Sequence, residues 1–188
     1  MYRKELLRPL AVAVIVFAVA LGIGIGAVRL EPALGEELLD LFRDQVAGIV
    51  TDANPLSLAV NIFLNNLGAC ILLFLGGASF GILTGIILGA NGILIGAVLE
   101  LVRQQQGLFF VAAAILPHGI FEIPGFLIAG ALGLHLGRAL LLELQGLEDA
   151  ADTARRLGRY FVRLVVPLLL VAAGTEAFIT PALLNLLI

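Results

Sequence analysis

Charge is scarce in this chain of 188 residues, since only 13% of the residues are charged and 61% are apolar. Ordinary globular domains carry roughly 25% charged residues and about half apolar ones, and the mean hydropathy here is +1.10. Several windows of about 20 residues hold almost no charge, which is long enough to cross ~30 Å of hydrocarbon. The composition excludes an ordinary soluble domain and predicts an all-α polytopic membrane helix bundle.

Other absences narrow the range of possible functions. A single cysteine, Cys70, excludes an intrachain disulfide. The sequence has no phosphate-binding loop, no dinucleotide fingerprint and no nucleophile elbow, the short motifs that mark many soluble enzymes. We therefore expect no catalytic residues of the soluble type, no cofactor and no nucleic-acid partner. Membrane lipids are the expected surroundings.

The apolar segments predict about five transmembrane helices in a single membrane domain covering 1–188. The segment 31–54 differs from them, because it is rich in carboxylates and places its apolar residues at helical spacing. That pattern predicts an external amphipathic helix at the membrane interface. The five spans are expected at about 9–29, 56–77, 80–102, 107–143 and 162–187.

The basic residues set the expected orientation. They cluster before the first span and before the last one, at Arg3, Lys4, Arg8, Arg155, Arg156, Arg159 and Arg163. Loops rich in lysine and arginine stay in the cytoplasm. We therefore expect a multi-pass protein of the plasma membrane with a cytoplasmic N-terminus.

The fourth apolar region is too long for one plain span, because 37 residues of helix measure about 55 Å. Pro117 removes a backbone donor and disfavours helix in the residue before it, and Gly119 and Pro124 weaken the same place. The sequence therefore predicts a helix broken near Pro117, with a short half-helix at 107–116 and a full helix from about 119 to 143.

Glycine recurs every four residues from the end of the second span into the third, and a further pair at the same spacing follows. Small residues at this spacing let helix backbones approach closely in a membrane. These positions are predicted to be helix-packing sites, either within one chain or across a homodimer: Gly77, Gly81, Gly85, Gly89, Gly92 and Gly96.

Polar residues from four different spans fall near the middle of the membrane. Polar side chains in hydrocarbon are costly, so they should turn inward and meet one another. The sequence therefore predicts one polar mid-membrane site, although hydrogen bonds that merely hold the helices together would explain the same residues. The set is His118, Glu122, Asn65, Asn66, Asn91 and Glu176.

Three members of this set raise the question of a metal. An imidazole with two carboxylates is an acceptable zinc ligand set, and His118, Glu122 and Glu176 would supply it. The sequence has no HExxH motif, no second histidine nearby and no cysteine cluster, which are the usual signals. On that ground we expect no bound metal.

Two adjacent runs carry a family resemblance. LPHGIFEIPG at 116–125, followed by LIAGALGLHLG at 127–137, resembles the signature of stage II sporulation protein M (SpoIIM). The upstream asparagines and glycines are similar to the same family's pattern, so the likeness covers roughly 58–143 and, less specifically, the last helix. His118 and Glu122 stand at positions of the family's motif.

The resemblance implies a polytopic membrane protein. The sporulation member acts in engulfment, where it recruits and holds cell-wall hydrolases at the membrane, which implies other membrane or envelope proteins as partners. The only sizeable external piece of this chain is 30–55. The resemblance therefore bears on architecture more than on function.

Three functions remain open from the sequence. The first is a non-enzymatic scaffold or assembly component, expected as a homodimer, whose polar cluster fixes a unique packing. The second is a transporter or channel for a small molecule, an ion or protons that uses His118, Glu122 and Glu176. The third and least favoured is an intramembrane hydrolase with His118 and Glu122 as an acid–base pair, for which no nucleophile is evident.

Overall fold

The structure is a computed structural model that describes residues 3–31, 33, 35 and 54–184. Within these ranges the chain is almost entirely helical and forms no strand, which confirms the predicted all-α membrane bundle. Most of the expected amphipathic helix at 31–54 lies outside the described residues.

The first two helices are α1 (Arg3–Leu30) and α2 (Pro55–Leu75). The start of α2 is capped by Asn54, whose side-chain oxygen accepts a hydrogen bond from the backbone N–H of Leu56 at 3.0 Å. Pro55 follows at the first helical position, where a missing N–H costs nothing because that group has no partner inside the helix.

A tight turn reverses the chain after α2. It consists of a 3₁₀ turn at Gly76–Ser79 followed by Phe80 and Gly81, both with positive φ (57° and 84°). The Ser79 hydroxyl accepts a hydrogen bond from the backbone N–H of Leu83 at 2.8 Å. This bond satisfies one of the free N–H groups at the start of the next helix.

The next helical stretch, Ile82–Glu143, is 62 residues long, about 93 Å if straight and far more than one membrane crossing requires. One residue inside it, Gly107, has a non-helical backbone with φ 84° and ψ 167°. This conformation is readily open only to glycine. Gly107 divides the stretch into α3 (82–106) and α4 (108–143).

Helices α3 and α4 fold back on each other. Three glycines of α4 lie against α3 or against the turn that precedes α3. Successive glycines along α4 contact residues with successively lower numbers in that segment. A Cβ atom placed on any of them would collide with its neighbour: Gly130 with Leu88, Gly133 with Thr84 and Gly137 with Gly81. The two helices therefore form an antiparallel hairpin, and each is long enough to span a membrane.

The break expected near Pro117 is not present. The backbone stays helical through Pro117, Gly119 and Pro124, and the interruption lies at Gly107 instead. A proline removes only one backbone hydrogen bond, and membrane helices tolerate this loss because neighbouring groups can satisfy the freed carbonyl. The reversal requires a positive φ, which a proline cannot adopt.

The last part of the chain is one helical stretch with two wider turns. It begins at α5 (Ala150–Tyr160), where the Asp149 side chain accepts a hydrogen bond from the N–H of Asp152 at 2.9 Å. It continues through a π-helical turn (Phe161–Val165), α6 (Val166–Gly174), a second π-helical turn (Thr175–Ile179) and α7 (Thr180–Leu184).

Four helical stretches are long and apolar enough to cross a membrane, and the reversal at Gly107 divides one of them. Helices of this length and composition make this a multi-pass membrane protein. The four stretches are Glu5–Leu30, Pro55–Ser79, Ile82–Glu143 and Ala150–Leu183.

Close backbone approach also joins α1 to α3, which run parallel. A Cβ atom on Gly92 would lie 2.7 Å from Ala20 Cβ, and one on Gly96 would collide with the Leu21 carbonyl. Among the other predicted packing glycines, Gly77 lies against α4. Gly81 forms the turn, and a Cβ on Gly85 or Gly89 would meet nothing within 4 Å.

Candidate functional site

All six residues of the predicted polar site line one cavity of about 600 Å³. Ligand pockets in proteins commonly measure about 300–1,000 Å³, so the cavity is large enough for a small solute or a hydrated ion. Four helical stretches supply the polar residues, and α1 contributes Phe17 to the wall. The six are Asn65 and Asn66 from α2, Asn91 from α3, His118 and Glu122 from α4, and Glu176 from the last stretch.

The cavity lies in the half of the α3–α4 hairpin that is nearer to Gly107. In this half α3 presents Leu94, Ile95 and Val98 to the cavity instead of glycines in contact with α4. Asn91 stands sixteen residues before Gly107 and Glu122 fifteen residues after it, which places them about 24 and 22 Å from the turn. The two residues therefore stand at similar distances from the turn on facing helices.

An imidazole and two carboxyl groups meet in this cavity. His118 and Glu122 are one turn apart on α4, with His118 Nε2 4.0 Å from Glu122 Oε2. Glu176 reaches them from the last helical stretch, so that one ligand atom from each of the three lies within 4.8 Å of the others. These are the residues that could hold a metal ion, because imidazole nitrogen and carboxylate oxygen are both common ligands.

The imidazole of His118 retains bonding capacity that the described residues do not use. Its side chain is 15% exposed, and its Nδ1 atom is buried without a hydrogen-bond partner among those residues. Buried polar side-chain atoms usually have a partner, in the protein or in ordered water. The Glu122 side chain is 31% exposed, so the pair is not sealed inside a dry core.

A π-helical turn carries Glu176. The backbone N–H of Thr180 donates to the carbonyl of Thr175, five residues back rather than four. Thr180 and Pro181 also line the cavity. Such turns often occur at functional sites. Sequence reasoning missed this feature, and its signal is a proline shortly after each wide turn, at Pro167 and Pro181.

The asparagines do not act as bridges between helices in the described structure. Asn65 Nδ2 donates to Asn66 Oδ1 at 3.5 Å, and Asn91 Nδ2 donates to the carbonyl of Ile87 in its own helix at 2.9 Å. Both bonds stay within one helix. All three asparagines line the cavity, and bonds confined to one helix are unlike those of a cluster that holds helices together.

A second polar cluster near Gly107 was not predicted. The Glu100 side chain is 2% exposed and accepts hydrogen bonds from Arg29 Nε at 3.0 Å, from Arg103 Nε at 2.8 Å and from Gln104 Nε2 at 3.2 Å. It ties the end of α1 to the end of α3. The signal was available, since Arg103 follows Glu100 by three residues and Arg29 ends the first span.

Fold and site together define a polytopic membrane protein whose helices line a cavity with several polar side chains. The chain matches the family model of stage II sporulation protein M (SpoIIM) over residues 13–181. It belongs to that family, as the motif around His118 and Glu122 suggested.

One relative shares part of the sequence. The chain is 31% identical to uncharacterized protein MJ0793 of Methanocaldococcus jannaschii over 124 residues, which is 64% of this chain and 70% of that protein. No solved structure matches the chain.

Proposed function

We propose that this protein binds a small cation or polar solute in the mid-membrane cavity and takes part in its passage across the membrane. The observation that carries the proposal is the cavity itself, of about 600 Å³ and lined by polar residues of four helical stretches. Transport proteins commonly place binding sites near the bilayer midplane, where polar groups of several helices converge.

The contacts of the polar residues favour binding over a purely structural role. A cluster that fixed the packing would join helices by hydrogen bonds, as Thr84 does through its bond to the carbonyl of Leu73 at 2.8 Å. The asparagines bond within their own helices, and His118 Nδ1 has no partner among the described residues. A buried imidazole nitrogen without a partner is costly unless a bound molecule or water satisfies it.

Reconstitution into liposomes tests the proposal. Purified protein should release entrapped ions or small polar solutes faster than empty liposomes do. Glu122→Gln and Glu176→Gln should reduce that flux at least tenfold, because each removes a carboxylate from the cavity. Glu31→Gln is the matched control, since it removes the same charge from an exposed residue at the end of α1. Flux that survives both cavity substitutions would remove the support for transport.

A second candidate function is a non-enzymatic assembly component that works as a homodimer, with other membrane or envelope proteins as partners. It is favoured by Gly85 and Gly89, which are one turn apart on α3 and have nothing within 4 Å of an added Cβ. Small residues at this spacing are typical of helix–helix contacts in membranes, and the described residues leave these two glycines uncovered.

The oligomeric state tests this second candidate. Native mass spectrometry in detergent should show a dimer that Gly85→Leu and Gly89→Leu convert to monomer. Gly68→Leu on α2 is the control, because a side chain there also meets nothing within 4 Å. A monomer in the unchanged protein would contradict the dimer. In either role we place the N-terminus in the cytoplasm, as the basic residues near the first span favour.

A further inference from the structure

We infer that His118, Glu122 and Glu176 form a binding site for a divalent transition-metal cation such as Zn²⁺. This inference rests on the proposed function and names the class of solute that the cavity takes. It revises the expectation of no metal, which depended on the absence of a local HExxH motif. The third ligand comes from Glu176, 54 residues beyond Glu122 in the sequence, and only the fold brings it to the pair.

Charge balance is the first argument. Two carboxyl groups, Glu122 and Glu176, face the same cavity within 4.8 Å of His118 and of each other. Among the described residues that line the cavity, none is a lysine or an arginine. Two carboxylates at this separation repel each other strongly where the surroundings are apolar. A divalent cation between them would balance both charges at once.

Geometry is the second argument. Zinc binds imidazole nitrogen and carboxylate oxygen at ~2.0–2.2 Å, so the donors around one ion stand about 3.3 Å apart. His118 Nε2 lies 4.0 Å from Glu122 Oε2, and the three donor atoms all lie within 4.8 Å of one another. Closing the set around an ion requires the donors to move by about an ångström, which rotation about the glutamate side-chain bonds permits.

The donor types select among cations. Magnesium and calcium are bound by oxygen ligands, whereas imidazole suits zinc, iron, copper and nickel. A site with one imidazole and two carboxylates should therefore prefer first-row transition metals. Three protein ligands also leave at least one position of the ion to water, and the cavity has room for that water and for the ion's entry and exit.

Cobalt binding tests the site directly, because Co²⁺ takes zinc sites and absorbs visible light. Tag-free protein in lipid nanodiscs should bind one Co²⁺ per chain, and Zn²⁺ but not a large excess of Mg²⁺ should displace it. His118→Ala, Glu122→Gln and Glu176→Gln should each weaken binding at least tenfold. Glu176→Asp retains a carboxylate on a shorter side chain, so it should keep binding with a changed spectrum and lower affinity.

Two controls isolate the site. His135→Gln changes the other histidine of the chain, which does not line the cavity, and Glu31→Gln changes an exposed carboxyl group. Both should bind Co²⁺ as the unchanged protein does. Absence of Co²⁺ binding, or binding that the three cavity substitutions leave unaltered, would overturn the inference. Melting curves establish whether each variant is folded. If the alanine or glutamine variants do not fold, the Glu176→Asp variant supplies the test.

The inference and the proposed function fail in different ways. If Co²⁺ does not bind but a flux of other solutes still depends on Glu122 and Glu176, the metal site is wrong and the transport proposal stands. If Co²⁺ binds in the cavity but liposomes show no flux of any solute, the metal site stands and transport is wrong.

Discussion

The two halves of the α3–α4 hairpin differ in what lies between the helices. In the half away from Gly107, the glycines of α4 bring the backbones together, and Leu88 and Leu132 are fully buried there. In the half near Gly107 both helices line a cavity of about 600 Å³, to which α4 contributes His118 and Glu122.

The difference shows how one pair of helices serves two purposes. Where glycine allows contact, dispersion forces and buried hydrogen bonds hold the bundle together. Where larger and polar residues replace glycine, the two helices line a cavity. We therefore expect substitutions in the packed half to change stability and substitutions in the open half to change binding.

The largest effect is expected at Gly133. A methyl group there would meet the backbone carbonyl of Leu73 and lie 2.7 Å from Thr84 Oγ1, neither of which can move away cheaply. Gly133→Ala should lower the free energy of unfolding by about 1–3 kcal/mol or more, measured by thermal unfolding in detergent. Gly85→Ala is the control, and alanine there should be neutral or stabilising by up to about 1 kcal/mol, because nothing lies within 4 Å.

Equal changes in stability for Gly133→Ala and Gly85→Ala would contradict the contrast between the two halves of the hairpin. It would mean that the close approach of α4 to α2 and α3 contributes little to stability, and the contrast between a packed half and an open half would lose its energetic meaning.

A smaller but clear loss is expected at Glu100. Its carboxylate lies between the guanidinium groups of Arg29 and Arg103, so Glu100→Gln leaves two like charges close together without compensation. The melting temperature should fall by several degrees, and the loss should shrink in high salt because both arginines are partly exposed. Gln105→Ala, at an exposed neighbouring position, should have no such effect. If the difference in melting temperature between the unchanged protein and the Glu100→Gln variant did not depend on salt, this interpretation of the cluster would be contradicted.

Thr84 should have a modest effect within the packed half. Its side chain is fully buried, and its hydroxyl donates to the carbonyl of Leu73 at 2.8 Å. Thr84→Val keeps the shape but removes this bond, at a cost of about 0.6–2 kcal/mol. Thr84→Ser keeps the hydroxyl and should retain more of the stability than valine does. The bond would be unimportant if valine and serine gave the same melting temperature.

The smallest effect on stability is expected in the open half. Without added metal, His118→Gln and Glu122→Gln should each change the free energy of unfolding by less than about 0.5 kcal/mol, because both residues line a cavity rather than fill a packed core. Thermal unfolding in the presence of a chelator measures this. A loss as large as that of the Thr84 variant would favour a polar cluster that fixes the packing, and so the assembly hypothesis.

The depth of the polar site could be predicted from sequence because depth depends only on the ends of the spans and a rise of 1.5 Å per residue. That counting placed Asn91, Glu122 and Glu176 at one level, and they line one cavity. The existence and size of the cavity could not be predicted in this way. They depend on which glycines are in contact, and the spacing alone did not separate Gly92, which packs on α1, from Gly89, which does not.

The position of the helix break shows another limit. The prolines predict a helix break at Pro117, yet α4 is helical through Pro117 and the chain reverses at Gly107. Proline acts locally on one hydrogen bond, whereas a reversal of direction needs a residue with positive φ at an exposed end of the span. The Glu100 cluster was missed because Arg29 is 71 residues away in sequence, and periodicity does not indicate pairs so far apart.

Gly107 also limits how the two helices can move relative to each other. With a single non-helical residue between them, α3 and α4 have no loop that could lengthen. A change in the angle between their near ends therefore has to come from the backbone dihedral angles of Gly107 and its neighbours. A motion that widens or narrows the cavity between these two helices would pivot at this turn.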